Sequence, residues 1–188
     1  MHHTEQASAW VQRWSHLVPP GGTVLDVACG AGRHLRWFAG RGHPVTGVDR
    51  SPEAIAAVNG LGRTVQADIE NGRWPFEDEH FGAVVVTNYL WRPLLPQIVA
   101  SVAEGGVLIY ETFADGNQTV GKPSRPDFLL QPGELLQVCA GLRVVAYEDG
   151  FLDAPERFVQ RIAAVRKRPA DGAPPERHRL GSARNFLQ

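Results

Sequence analysis

The chain has 188 residues, 43% hydrophobic and 21% charged, with a net charge of -1. That length suits one domain with a full hydrophobic core, and a near-neutral charge offers no global basic field for a nucleic-acid backbone. No apolar run is long enough to cross a bilayer, no signal-peptide pattern opens the chain, and Cys29 and Cys139 make no disulfide framework. A cytoplasmic protein is expected.

Trp10, Trp14 and Leu17 share one face at i, i+4, i+7 and predict a helix from about Thr4, ended by Pro19 to Gly22. A first strand follows over Thr23–Ala28, then a glycine loop and a helix from near Arg33. That helix carries Leu35, Phe38 and Ala39 inward and stops at Gly40 and Gly42. The second strand, Pro44–Val48, ends at Asp49. Ser51-Pro52 is an N-cap with a first-turn proline, opening a helix to about Leu61. Strand three covers Thr64–Ala67 and ends at Asp68, and strand four covers Phe81–Val86.

A helix over Leu94–Val102 leads through Gly105-Gly106 into strand five, Val107–Glu111. Thr112–Gln131 shows no periodicity, and so long an irregular stretch reads as a lid or binding loop. A helix over Pro132–Ala140 precedes strand six, Leu142–Glu148, and strand seven, Phe158–Arg166. The connection between those two strands is too short for a crossover helix, so they must be antiparallel. From Lys167 onward Pro, Gly and Arg dominate, with Arg177, Arg179 and Arg184. A flexible tail is expected there, with a basic partner-binding arm as the alternative. The histidines show no ligand spacing, so no metal is expected.

The chemistry concentrates in Val24–Arg33. Gly30 and Gly32 let a ligand approach the main chain, and the helix start beyond them adds unpaired N–H groups. Asp26 interrupts an apolar strand beside this loop. Asp49, about twenty residues after the loop, is placed to accept hydrogen bonds from both ribose hydroxyls of a nucleoside. A nicotinamide dinucleotide fits poorly, because the third glycine position is Leu35 and Asp26 would face a pyrophosphate. A carboxylate there suits an ammonium or sulfonium, and S-adenosylmethionine combines both with adenosine. Cys29 reads as a small loop residue rather than a nucleophile.

The motifs VLDVACGAGRHL, VTGVDRSPEAI and VQADIE resemble those of the class I S-adenosylmethionine-dependent methyltransferases, especially small bacterial ones, over about residues 5–166. The resemblance implies a Rossmann-like three-layer α/β sandwich: a mostly parallel seven-stranded sheet with strand seven antiparallel. It implies a methyltransferase domain over 1–166 and a tail over 167–188. The cofactor residues it implies are Asp26, Ala28, Gly30, Gly32, Arg33, Asp49, Arg50, Asp68, Ile69 and Asn88, with Asp68 or its neighbour meeting the adenine amino group and Ile69 flanking the base. The first helix would then roof part of the active site, where the bare sequence allows it equally to cover a core edge. Gly82 stands where the family commonly has an acid after the strand-four Phe. The stretch from Glu111 to Pro123 is loosely similar to that of tellurite-resistance-type methyltransferases.

Substrate-side candidates are Tyr89, Trp91, Arg92, Tyr110, Glu111, Lys122 and Arg125, the cations fitting an anionic acceptor. A small-molecule methyl acceptor is expected, with no membrane and no nucleic-acid partner. The alternatives are a protein or nucleic-acid acceptor engaged by the tail, and a non-catalytic S-adenosylmethionine-binding protein.

Overall fold

The structure, a computed structural model, describes residues 6–168 and 174–181. Its elements in chain order are α1 (Ala9–Trp14), β1 (Val24–Val27), α2 (Arg33–Ala39), β2 (Val45–Asp49), α3 (Pro52–Ala57), β3 (Arg63–Gln66) and β4 (Phe81–Thr87). There follow α4 (Leu95–Ala100), β5 (Val102–Phe113), α5 (Glu134–Val138), β6 (Arg143–Asp153) and β7 (Glu156–Val165). The strands form one sheet in the order β3-β2-β1-β4-β5-β7-β6. All pairs are parallel except β5–β7 and β6–β7, so β7 alone runs against the rest, as the sequence predicts.

The central strands are apolar throughout because both faces are covered. Alternation along them divides the core. Leu25, Val27, Val84, Val86 and Leu108 pack with Phe76, Phe81 and Ile98 on one face. Val24, Ala83, Val85, Val107 and Ile109 pack with Trp10, Trp14, Leu35 and Phe38 on the other. Gly82 suits this packing: a Cβ there would stand 3.0 Å from the Gly22 Cα and 3.3 Å from the Thr23 carbonyl oxygen, so a larger residue would crowd the neighbouring backbone.

Several boundaries differ from expectation, each for a local reason. Helix α1 starts at Ala9 because the Ser8 hydroxyl accepts the Trp10 and Val11 amides. The expected start at Thr4 lies outside the described residues. Helix α3 stops at Ala57, followed by a turn through Gly60 in a left-handed conformation. Val102, expected in a helix, pairs with Phe81 and begins β5, whose register shifts before Val107. Strands β6 and β7 extend into a hairpin joined at Ala154-Pro155.

The largest departure is the stretch from Thr112 to Gln131. It is held in place rather than structureless. Ala114 bridges Leu130, and Leu129 and Leu130 are buried. Buried Asn117 donates to the Pro123 carbonyl at 3.0 Å and accepts the Phe158 amide at 3.2 Å. Short 3-10 turns at Asn117–Thr119 and Pro126–Phe128 complete it. The tip between these anchors is exposed.

In the tail, Arg184 lies outside the described residues. The described part folds back on the amino edge of the sheet, with the Arg179 carbonyl 2.9 Å from His16 Nε2. Arg168 covers Gly105 there. No described helix is long and apolar enough to cross a membrane.

Candidate functional site

Strands β1, β2 and β3 run parallel, so the residues that end or follow them meet at one carboxyl edge. Ala28, Asp49, Arg50, Asp68 and Ile69 line a cleft of about 160 Å³ with Ala67, Glu70 and Tyr89. Asp49 Oδ2 accepts the Gly30 amide at 2.9 Å and Oδ1 accepts the Ser51 amide at 2.9 Å. Those bonds brace the glycine loop against β2 and leave each oxygen a further lone pair. Asp68 caps its own turn: Oδ1 accepts the Glu70 and Asn71 amides, and Oδ2 accepts the Asn71 side-chain amide. The Asn71 side chain, with the Glu70 amide, holds the Asp68 carboxyl below its ordinary pKa.

The loop itself adopts unusual backbone angles. Gly30 (φ 50°) and Gly32 (φ 76°) are left-handed, and so are Ala28 (φ 54°) and Asn88 (φ 54°), the two non-glycine residues of this kind among those described. Both follow strands that meet at this edge. Strain of this sort gathers at ligand sites. A Cβ on Gly30 would have nothing within 4 Å, whereas one on Gly32 would stand 2.2 Å from a methyl of buried Val58. Gly30 therefore borders open space and Gly32 serves packing. Arg33 Nη2 reaches Thr87 Oγ1 at 3.4 Å, tying α2 to the end of β4.

Asp26 is 1% exposed and its Oδ2 has no hydrogen-bond partner. Its neighbour is His34 of α2, whose Nδ1 stands 3.6 Å away. A buried carboxylate oxygen with unused lone pairs, in the strand that leads into the glycine loop, fits a ligand carrying an ammonium or sulfonium. Cys29 is not a nucleophile here. Burial, helped by the Asp26 and Asp49 carboxylates, pushes its thiol up to about 12.

The substrate-side candidates divide. Tyr89 lines the cleft with Asp49 and Asp68 instead, and burial with the nearby Glu70 and Asp68 carboxylates raises its pKa. Trp91 packs against the core. Tyr110 is fully buried and donates to the Tyr89 carbonyl at 2.8 Å, so it supports the edge from below rather than facing a substrate. Arg92 is a clamp: it pairs with both Glu134 oxygens at 2.7 and 2.9 Å and donates to the Asp127 and Leu129 carbonyls. Arg125 pairs outward with Asp127 at 3.0 Å, and Lys122 is exposed on the same loop. Arg92 and Arg125 thus both end on Asp127, one at its carbonyl and one at its carboxylate, and each is already paired with an acid.

Glu111 is 2% exposed, accepting from the Ser8 hydroxyl at 2.9 Å and from Arg161 at 3.1 Å, with Arg157 at 3.7 Å. The sequence reading missed Ser8, His34, Glu70, Arg157 and Arg161. For His34 a signal existed, since it stands four residues before Phe38 on the buried stripe of α2. Arg161 faces Glu111 across the β5–β7 register, which no local pattern reveals.

A family model described as a methyltransferase domain matches residues 24–106. No protein of curated function matches the chain. Among solved structures, TehB from Haemophilus influenzae superposes with a TM-score of 0.67 at 21% identity, covering 88% of this chain and 64% of that one. The present chain thus spans less than two thirds of that relative. A TehB-like S-adenosylmethionine-dependent methyltransferase from Corynebacterium glutamicum superposes at 0.60 with 20% identity, covering 81% and 84%. The glycopeptide N-methyltransferase MtfA bound to S-adenosylmethionine gives 0.55 at 20% identity, covering 81% and 90%. These likenesses establish the fold. Residues 24–106 match the model of a methyltransferase domain, and the sheet around them has the fold of the S-adenosylmethionine-dependent methyltransferases just named.

Proposed function

We propose that the chain transfers a methyl group from S-adenosylmethionine to a small acceptor at the carboxyl edge of β1, β4 and β5. The observation that carries this reading is the unpartnered buried oxygen of Asp26, in the strand that leads into the glycine loop where Gly30 borders open space. Bound there, the cofactor supplies a methyl carbon activated by a positive sulfur.

The chain's own residues bind and orient. Asp26 faces the cationic amino-acid end. Asp49 keeps a lone pair on each oxygen for the ribose hydroxyls, and Asp68, Ile69 and Tyr89 surround the base. Orientation of the nucleophile along the sulfur–carbon axis can remove as much as ~7–11 kcal/mol of barrier.

No general base is assigned. Burial keeps the Tyr110 hydroxyl and the Cys29 thiol protonated, and Glu111 is taken up by Ser8 and Arg161. An acceptor that needs no base, an anion or a soft chalcogen, suits this edge. The described tail packs on the opposite, amino edge, which favours a small acceptor over a macromolecule held by that tail.

The test is a panel of thiols, chalcogen oxyanions, carboxylates and phenols with methyl-labelled cofactor, run on the full chain and on a chain ending at residue 166. Label transfer to a small acceptor, unchanged by truncation, is expected. Transfer only to protein or nucleic acid, and only with the tail present, contradicts the proposal.

A further inference from the structure

A line of buried and half-buried polar groups runs from the glycine loop to the first helix. His34 is 2% exposed. Its Nδ1 stands 3.6 Å from the unpartnered Asp26 Oδ2, and its Nε2 accepts the Ser8 amide at 3.3 Å. The Ser8 hydroxyl caps α1 and donates to Glu111 Oε1 at 2.9 Å. An accepting Nε2 carries a lone pair, so the neutral ring bears its proton on Nδ1, toward Asp26. The distance to Asp26 exceeds a hydrogen bond, so the oxygen keeps its lone pairs for a cation while an N–H dipole faces it from behind.

We propose that His34 is a positioning residue that couples the cofactor-facing carboxylate Asp26 to the Ser8 cap of α1. One ring then sets both the orientation of Asp26 and the seating of α1 beside Glu111. This rests on the methyltransferase reading of the site. An apolar side chain at 34 would leave the Ser8 amide without an acceptor and Asp26 facing hydrocarbon.

The two edges of the ring can be tested apart. Asn places its amide near the Nδ1 position and Gln near the Nε2 position. His34→Asn keeps a donor toward Asp26 and removes the Ser8 acceptor, and His34→Gln does the reverse. In His34→Asn, the amides of residues 10–14 should exchange hydrogen roughly two- to tenfold faster, the effect of one lost hydrogen bond, with S-adenosylhomocysteine affinity nearly unchanged. In His34→Gln, those amides should stay protected while affinity falls roughly two- to threefold, because the N–H dipole behind Asp26 is lost.

If both variants lose both properties alike, or neither changes, the assignment of one ring edge to Asp26 and the other to Ser8 is overturned. Nitrogen NMR of the wild-type ring needs no variant and no ligand. A proton fixed on Nδ1 is expected, and a proton on Nε2 overturns the assignment. Absence of S-adenosylhomocysteine binding to the wild type would fail the cofactor reading, while exchange and ring shifts still decide whether His34 holds Ser8.

Discussion

Gly30 and Gly32 share a loop and a left-handed backbone, yet their surroundings give them different duties. An alanine at either position meets the left-handed penalty of about 1–2 kcal/mol. At Gly32 the new methyl also collides with the buried Val58 side chain, adding an overpacking cost of ~1–3 kcal/mol. At Gly30 it enters the space where backbone would meet ligand. Gly32→Ala should therefore lose more stability in urea unfolding. Gly30→Ala should remain the better folded of the two and lose on the order of tenfold in S-adenosylhomocysteine affinity. The reverse order would mean that Gly30 does not border the cofactor. Both glycines were legible from the sequence, but their division of labour was not, because it depends on where α3 and Val58 pack.

At the scale of elements, the stretch after β5 depends on one long-range clamp. Burial works against the Glu134 charge, but the Arg92 guanidinium and the Gln131 amide outweigh it and hold the carboxyl below its ordinary pKa. A depressed carboxyl pKa means that the clamp stabilises the fold above the ordinary carboxylate range and is lost as pH falls through the folded value. Arg92→Met should cost about 1.5–3 kcal/mol at neutral pH, the range for hydrogen bonds to a charged group. It should also speed hydrogen exchange at residues 127–131, and its penalty should shrink once Glu134 is protonated in acid. An unchanged stability at neutral pH would remove the clamp from the account.

The same stretch shows why strands were easier to foresee than loops. β1, β4 and β5 announce themselves as apolar runs because both faces are covered. The order between Thr112 and Gln131 comes instead from Asn117, Arg92 and Glu134, partners far apart in sequence and invisible to periodicity. Helix ends erred where a cap or a left-handed glycine cut the helix short, as Ser8 does for α1 and Gly60 beyond α3.

For the whole molecule, the sheet order places β1 between β2 and β4, so the chain winds outward in both directions from that strand. In open α/β sheets a ligand crevice forms outside the carboxyl ends at such a switch point. Asp26 lies in β1, Asp49 ends β2 and Asp68 follows β3, each legible as an acid at or near the end of an apolar run. The polar line through His34 and Ser8 to Glu111 was not, because it joins α2, the start of α1 and β5 only after folding. Calorimetric titration with S-adenosylhomocysteine, in parallel with NAD and with the Asp49→Ala variant, tests the central claim most directly. Micromolar binding to the wild type, none of NAD, and a loss of about 1.5–3 kcal/mol in Asp49→Ala, roughly ten- to 150-fold in affinity, are predicted. Undiminished binding by Asp49→Ala, or binding of NAD in place of S-adenosylhomocysteine, would contradict it.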